Sequence, residues 1–349
     1  MNVSPSSSSG SGASRVPAYR RLIGLTTALT LALIMLGAWV RLTDAGLGCP
    51  DWPGCYGKFT PVQAKADIAR AVAEQGGEHG PVSMGKAWRE MVHRYVASVL
   101  GLLIIAIAVI GWRARRRLDQ SPGLPVALVG VVILQGMFGM WTVTLLLKPA
   151  IVTLHLAGGM LTFALLIWLW QRQQPRWSAV DERALGRLRV MALIALVLVS
   201  MQILLGGWTS TNYAALACTD LPRCQGRWWP DMNFEDAFHV LRELGRTEDG
   251  EFLPAQALTA IHLMHRIGAV CVAAWLGFVA WRVMQVPGTR GFGLALFVML
   301  AIQIALGLSN VWFSLPISVA VAHTGGAAVL LALVVVLNFR VSQARLTTH

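Results

Sequence analysis

The sequence is short of charge, and shortest of acid. Only 13% of its 349 residues are charged, and Asp and Glu together number 17. A soluble domain carries about 25% charged residues, so a water-soluble globular protein is excluded. Cysteine is scarce as well, five in all, too few for a disulfide-dense secreted scaffold. Zinc-finger spacing and other nucleic-acid motifs are missing, although the formal net charge is +12. The basic residues stand in short clusters between apolar runs, as membrane topology signals do. Residues 1–15 are rich in Ser and Gly, with Arg15 as their one charge. They lack the pattern of a signal peptide, and disorder is expected there.

What the chain has in quantity is apolar sequence. Eight runs lie near 22–40, 91–111, 124–147, 152–170, 188–208, 260–281, 291–313 and 317–339. Each is close to the roughly 20 residues a spanning helix needs. The expected fold class is an all-α integral membrane protein with eight transmembrane helices and both termini on one side. With the termini inside, 16 basic residues fall on inner segments and 11 on outer ones, with Arg94 and Arg266 in helix mouths. The inner segments hold only Asp119, Asp181 and Glu182 as acids. The positive-inside rule then makes the termini cytoplasmic and places two long loops, 41–89 and 209–259, outside.

The chain is one half written twice. Gln135-Gly136-Met137-Phe138-Gly139 returns as Gln303-Ile304-Ala305-Leu306-Gly307, 168 residues on, and His155 returns as His323 at the same interval. His93 and His265 are 172 apart, Cys49 and Cys218 are 169 apart, and Leu36-Gly37-Ala38-Trp39 resembles Leu205-Gly206-Gly207-Trp208. An even number of spans per half gives both copies the same orientation, so they are parallel repeats. The expected organisation is two pseudo-symmetric four-helix bundles, at 22–172 and 188–340. A disordered cytoplasmic start (1–21), a cytoplasmic linker (173–187) and a short tail (341–349) complete it.

The ionisable residues inside the spans repeat too. Glu90-Met91-Val92-His93-Arg94 opens the second span, and His262-Leu263-Met264-His265-Arg266 opens the sixth. Such groups are costly in a bilayer unless paired, wet or bound to something. His93, His155, His265 and His323 all enter from the outer side at shallow depth. Imidazole is a standard axial ligand of haem iron, and Gly158-Gly159 and Gly325-Gly326 leave room for a flat ring. Interhelical hydrogen bonding, another metal, a proton or ion pathway, and close packing through small residues remain open readings. Arg94 and Arg266 suit haem propionates or a snorkelling role. His79, His239 and His349 read as surface residues. Cys49/Cys55 and Cys218/Cys224 suit a disulfide within each outer loop, with free pairs or a shared metal as alternatives. Cys271 reads as helix packing.

Arg41-Leu42-Thr43-Asp44-Ala45-Gly46-Leu47-Gly48-Cys49-Pro50-Asp51-Trp52-Pro53-Gly54-Cys55 closely resembles the first outer loop of the haem A synthases. Glu90 to Arg94, Leu154 to Gly159, His265-Arg266 and Ala322 to Gly326 resemble the same family, and the likeness runs from about 22 to 340. It implies a bacterial inner-membrane oxidoreductase that turns haem O into haem A for haem-copper oxidases. The C8 methyl would become a formyl group by successive hydroxylations, with loss of water from a gem-diol. It implies that His93 and His155 face substrate haem O, while His265 and His323 ligate the iron of haem b. Glu90 matches the acidic residue required for oxidation. Cys49 and Cys55 match the outer-loop pair, and Cys218 and Cys224 the second pair, which not every member keeps. Haem O synthase, oxidase assembly factors, an electron acceptor, membrane lipid and a second copy of the chain are the partners it suggests. His262 stands where the first half has Glu90, which points to two binding sites and one reactive one, with His262 toward a propionate. The rival readings are a di-haem cytochrome b and a haem transporter.

Overall fold

The computed structural model describes residues 15–77, 80–118, 120–175 and 180–344. Residues 1–14 and 345–349, where disorder and a tail are expected, lie outside the described residues, as do His79 and His349. Among the described residues eight helices are long and apolar enough to cross a membrane. They are α1 (Arg15–Leu42), α2 (Met84–Arg113), α3 (Gly123–Thr144), α4 (Pro149–Gln171), α5 (Arg189–Thr211), α6 (Ala255–Met284), α7 (Arg290–Trp312) and α8 (Ile317–Gln343). At 1.5 Å per residue each covers the roughly 30 Å of a hydrocarbon core. The protein is an all-helical, multi-pass membrane protein.

One boundary differs from the sequence reading. Helix α1 begins at Arg15, so 15–21 are helical rather than disordered. Pro17 is tolerated so near a helix start because the first N–H groups have no intrahelical partner. Tyr19 then anchors the turn: it is buried, and its hydroxyl donates to the Ile107 carbonyl of α2.

Each half closes into a ring. Helix α1 packs on α2, α2 on α3, α3 on α4, and α4 back on α1; α5 to α8 do the same. The rings share a wall, in which α1 packs on α8 and α4 packs on both α5 and α8. The second ring's apolar core therefore runs through Ala192, Val279 and Val334 into Ile34 of α1 and Phe163 of α4. The first ring has its own core at the opposite flank, around Ile23, Ile104, Leu128 and Leu169. Helix ends are tied across the wall. Arg41 of α1 donates to the Ser210 carbonyl at the end of α5 (2.9 Å), a cation where the helix dipole is negative. At the other end of the molecule Arg340 of α8 donates to the Gln171 side chain closing α4 (2.8 Å).

The backbone repeats at the turns as well as the helices. Leu146 and Leu147 link α3 to α4 with φ of 50° and 58°, and Ser314 and Leu315 link α7 to α8 with 56° and 63°. The left-handed region is costly for such residues, so its return 168 positions later marks a duplicated turn rather than a local accident. Cys271 departs from its expected packing role and lies on the exposed outer surface of α6.

The two loops with cysteine pairs cover the same end of the molecule. The first lies flat on the start of α2. A Cβ at Gly48 would sit 2.7 Å from the Ala87 nitrogen and the Lys86 carbonyl carbon, both main chain and unable to yield. Gly48→Ala is therefore expected to lift the loop and cost about 1–3 kcal/mol. Thermal unfolding in detergent checks it, with Gly130→Ala, whose Cβ meets nothing within 4 Å, as the unaffected control.

Candidate functional site

The four histidines form two pairs. His93 on α2 and His155 on α4 sit on diagonal helices of the first ring. His265 on α6 and His323 on α8 do the same in the second. Each imidazole lies over a glycine of an intervening helix. A Cβ built at Gly37, Gly139, Gly206 or Gly307 would meet the Cε1 of His93, His155, His265 or His323 at 3.0, 3.4, 3.1 and 3.2 Å respectively. Any larger residue there would push the ring out of place. These seats lie within the repeated sequence blocks, yet nothing in the sequence marked them as seats.

Glutamines fix the histidine backbones. Gln135 of α3 donates to the His155 carbonyl (2.9 Å), and Gln303 of α7 to that of His323 (3.0 Å). Gln202 of α5 donates to the His265 carbonyl (2.9 Å) and also lies 3.0 Å from its Nδ1. The Gly pairs after two of the histidines serve this contact, a use sequence reasoning missed. A Cβ at Gly158 would strike the Gln135 amide at 2.7 Å, and one at Gly326 would strike that of Gln303. Gly325 instead admits Met35 of α1, whose sulfur would be 3.0 Å from an added Cβ.

The donor set fits a haem. Nδ1 of His93, His155 and His323 is buried without a hydrogen-bond partner. Among the described residues no group of three or more His, Cys, Asp or Glu converges as a metal site. Two imidazoles on diagonal helices without a third ligand suit a flat tetrapyrrole, whereas zinc asks for a tetrahedral set.

Above each pair a clasp ties the loop to the helix mouth. In the first half the Cys49 amide donates to Glu90 Oε2 (2.9 Å), and Arg94 Nη2 donates to Glu90 Oε1 (2.5 Å). Arg94 Nη1 reaches the carbonyls of Asp51 (2.8 Å) and Gly54 (2.5 Å). In the second half the Cys218 amide meets His262 Nδ1 (3.3 Å), and Arg266 Nε meets His262 Nε2 (3.2 Å). Arg266 also donates to the carbonyls of Cys218 (2.6 Å), Asp220 (2.8 Å) and Arg223 (3.0 Å). A carboxylate accepts at both oxygens, whereas a neutral imidazole accepts at one nitrogen, so the first clasp is the stronger. Both arginines, expected toward propionates, are directed here at loop carbonyls.

The loops are built alike. Cys49 is joined to Cys55 and Cys218 to Cys224, with Cα atoms 4.8 Å apart in each pair. Asp51 accepts from the amides of Tyr56 (2.6 Å) and Gly57 (2.7 Å), and Asp220 from those of Gln225 (2.7 Å) and Gly226 (2.9 Å). The Gly226 amide in particular holds the Asp220 carboxyl below its usual range. His239 lies in the second loop, its Nδ1 3.3 Å from Glu248. Arg94→Gln should loosen the first loop alone. Hydrogen bonds to charged groups are worth about 1.5–3 kcal/mol each, so amide exchange over 49–58 should quicken at least about tenfold. Unchanged exchange there, or equal quickening over 218–227, would contradict the clasp.

Comparison with known proteins agrees with this geometry. A family model described as cytochrome oxidase assembly protein, COX15-CtaA, matches residues 20–335. The heme A synthase of Shewanella oneidensis is 41% identical over 322 residues, covering 91% of this chain and 95% of its own. That of Methylobacterium radiotolerans is 28% identical over 336 residues, covering 90% and 88%. The chain, with its doubled helical ring, paired histidines and clasped loops, belongs to the COX15-CtaA family of cytochrome oxidase assembly proteins.

Proposed function

We propose that this chain is a haem A synthase, an oxidoreductase that takes haem O as substrate and delivers haem A. The family match and the name carried by its relatives support the activity. The observation that carries the assignment of roles is the contrast between the clasps. Two like histidine pairs lie beneath unlike groups, a carboxylate over one and an imidazole over the other.

In this reading His93 and His155 hold substrate haem O in the first ring, and His265 and His323 hold haem b in the second. A haem held by two imidazoles supplies one-electron transfer when bound. Glu90 is the reactive group. Its oxygens are engaged by the Cys49 amide and by Arg94, and each keeps a further lone pair. It can thus take a proton as the C8 methyl is oxidised, or offset developing positive charge. Arg94 and Arg266, next to the ligand histidines, hold the lids and are the proposed cations for propionates. His262 assists on the resident side.

We place the protein in the bacterial inner membrane with cytoplasmic termini, since the basic clusters flank the spans at that end. The cysteine loops then lie in the periplasm, where disulfides Cys49–Cys55 and Cys218–Cys224 persist. Haem O synthase would supply the substrate, oxidase assembly factors would receive the product, and a separate acceptor would take the electrons.

The test is Glu90→Ala and Glu90→Gln in cells that make haem O, with extracted haems resolved by chromatography and mass. Gln keeps an acceptor for the Cys49 amide and loses the basic carboxylate. Both variants should make at least about a hundredfold less haem A, with haem O or a hydroxylated intermediate accumulating and haem b retained. Wild-type haem A formation in both, corrected for protein level, would remove Glu90 from the chemistry. Conversion of haem O in the wild type excludes an electron carrier or transporter as the full account.

A further inference from the structure

We propose that Gln202, with its counterpart Leu33, decides which haem this protein keeps and which it exchanges. This rests on the assignment of haem b to the second ring.

The two positions correspond through the repeat. Gly37 and Gly206, each the seat of a histidine ring, are 169 apart, and Leu33 and Gln202 each lie four residues before that glycine. One helical turn separates seat and neighbour, so both face the same way. In the second ring Gln202 contacts both the carbonyl and the Nδ1 of His265. In the first, Leu33 packs with the apolar core and His93 Nδ1 is left without a partner. A second difference goes with the first. A Cβ at Gly268, three residues after His265, would strike Gln202 Oε1. The residue three after His93 is Val96, so the glycine that admits Gln202 in the second ring has no counterpart in the first. Three of the four histidines thus have a glutamine on their carbonyl, one has a glutamine on its ring, and His93 has neither.

The consequence follows from ligand chemistry. A metal-bound imidazole is held in place by partners outside the ligand set, and loss of such a partner costs about 10–100-fold in affinity. Gln202 offers its Nε2–H group to the carbonyl and the ring of His265, so it fixes where the ring stands rather than accepting its proton. A resident cofactor gains from that. A substrate ring must leave as product each turnover, and its ligand is better left unheld. His265 is the tethered ligand and His93 the releasable one. Gln202 touches no substrate; it is a positioning residue acting through His265.

The experiment uses the full-length protein purified with its haem. Gln202→Met keeps the side-chain length and removes the amide; Leu33→Gln with Val96→Gly transplants the device into the first ring. Haem loss to excess apomyoglobin and the midpoint potential of haem b are followed spectroscopically, after the size-exclusion profile shows intact protein. Gln202→Met should lose haem b at least about tenfold faster and shift its potential, because the ring of His265 is no longer held in one orientation. The transplant should slow haem departure from the first ring by a similar factor and leave haem b unmoved. Should Gln202→Met fail to fold, the transplant decides alone. Loss rate and potential at wild-type values in Gln202→Met, while His265→Ala abolishes bound haem b, would overturn this inference alone. Retention of haem b in His265→Ala would overturn the assignment and the inference with it.

Discussion

A polar group taken into a bilayer must find its partner inside the protein, because lipid offers none. That constraint organises this molecule. The histidines stand at helix mouths, seated on glycine and anchored by glutamine at three of four positions. The carboxylate of Glu90 is buried only because an arginine and a loop amide meet it there. Removing one member of such a buried set is expensive, since the remaining charge stays unpaired. The loops are therefore not ornaments on the helices: their amides and carbonyls complete the polar ends of α2 and α6.

Duplication supplies two equivalent scaffolds, and a few substitutions make them unequal. The turns at 146–147 and 314–315, the glycine seats and the cysteine loops are retained in both halves. Carboxylate has become imidazole above the histidine pair, and leucine has become glutamine beside it, with glycine for valine making room. Each exchange alters how firmly something is held or what proton chemistry is near. Neither alters the fold, since both halves close into the same ring of four helices.

The sequence was most readable where the physics is one-dimensional. Spans follow from apolar length, so all eight were legible, and the histidines stood out as ionisable residues in apolar runs. Glu90 and His262 were legible as a pair because the repeat aligned them. What needed three dimensions was the identity of neighbours. The Gly pairs read as space for a flat ring, whereas Gly158 and Gly326 make way for Gln135 and Gln303. Arg94 and Arg266 read as partners for a propionate; Arg94 meets the carboxylate of Glu90 instead, and both arginines turn N–H groups to loop carbonyls 40 to 48 residues away in sequence. The start of α1 was misplaced because a Ser/Gly-rich lead hides the helical turn that Tyr19 secures from α2.

The central claim is that two similar histidine pairs do different work, one on a haem that changes and one on a haem that stays. Haem content of His155→Ala and His323→Ala, purified from cells making haem O, tests it most directly. The account predicts that His155→Ala keeps the low-spin haem b spectrum and loses haem O and haem A from the protein. It predicts that His323→Ala loses the haem b spectrum. Haem b that persists unchanged in His323→Ala, or disappears in His155→Ala while haem O and haem A remain, would contradict the division of labour.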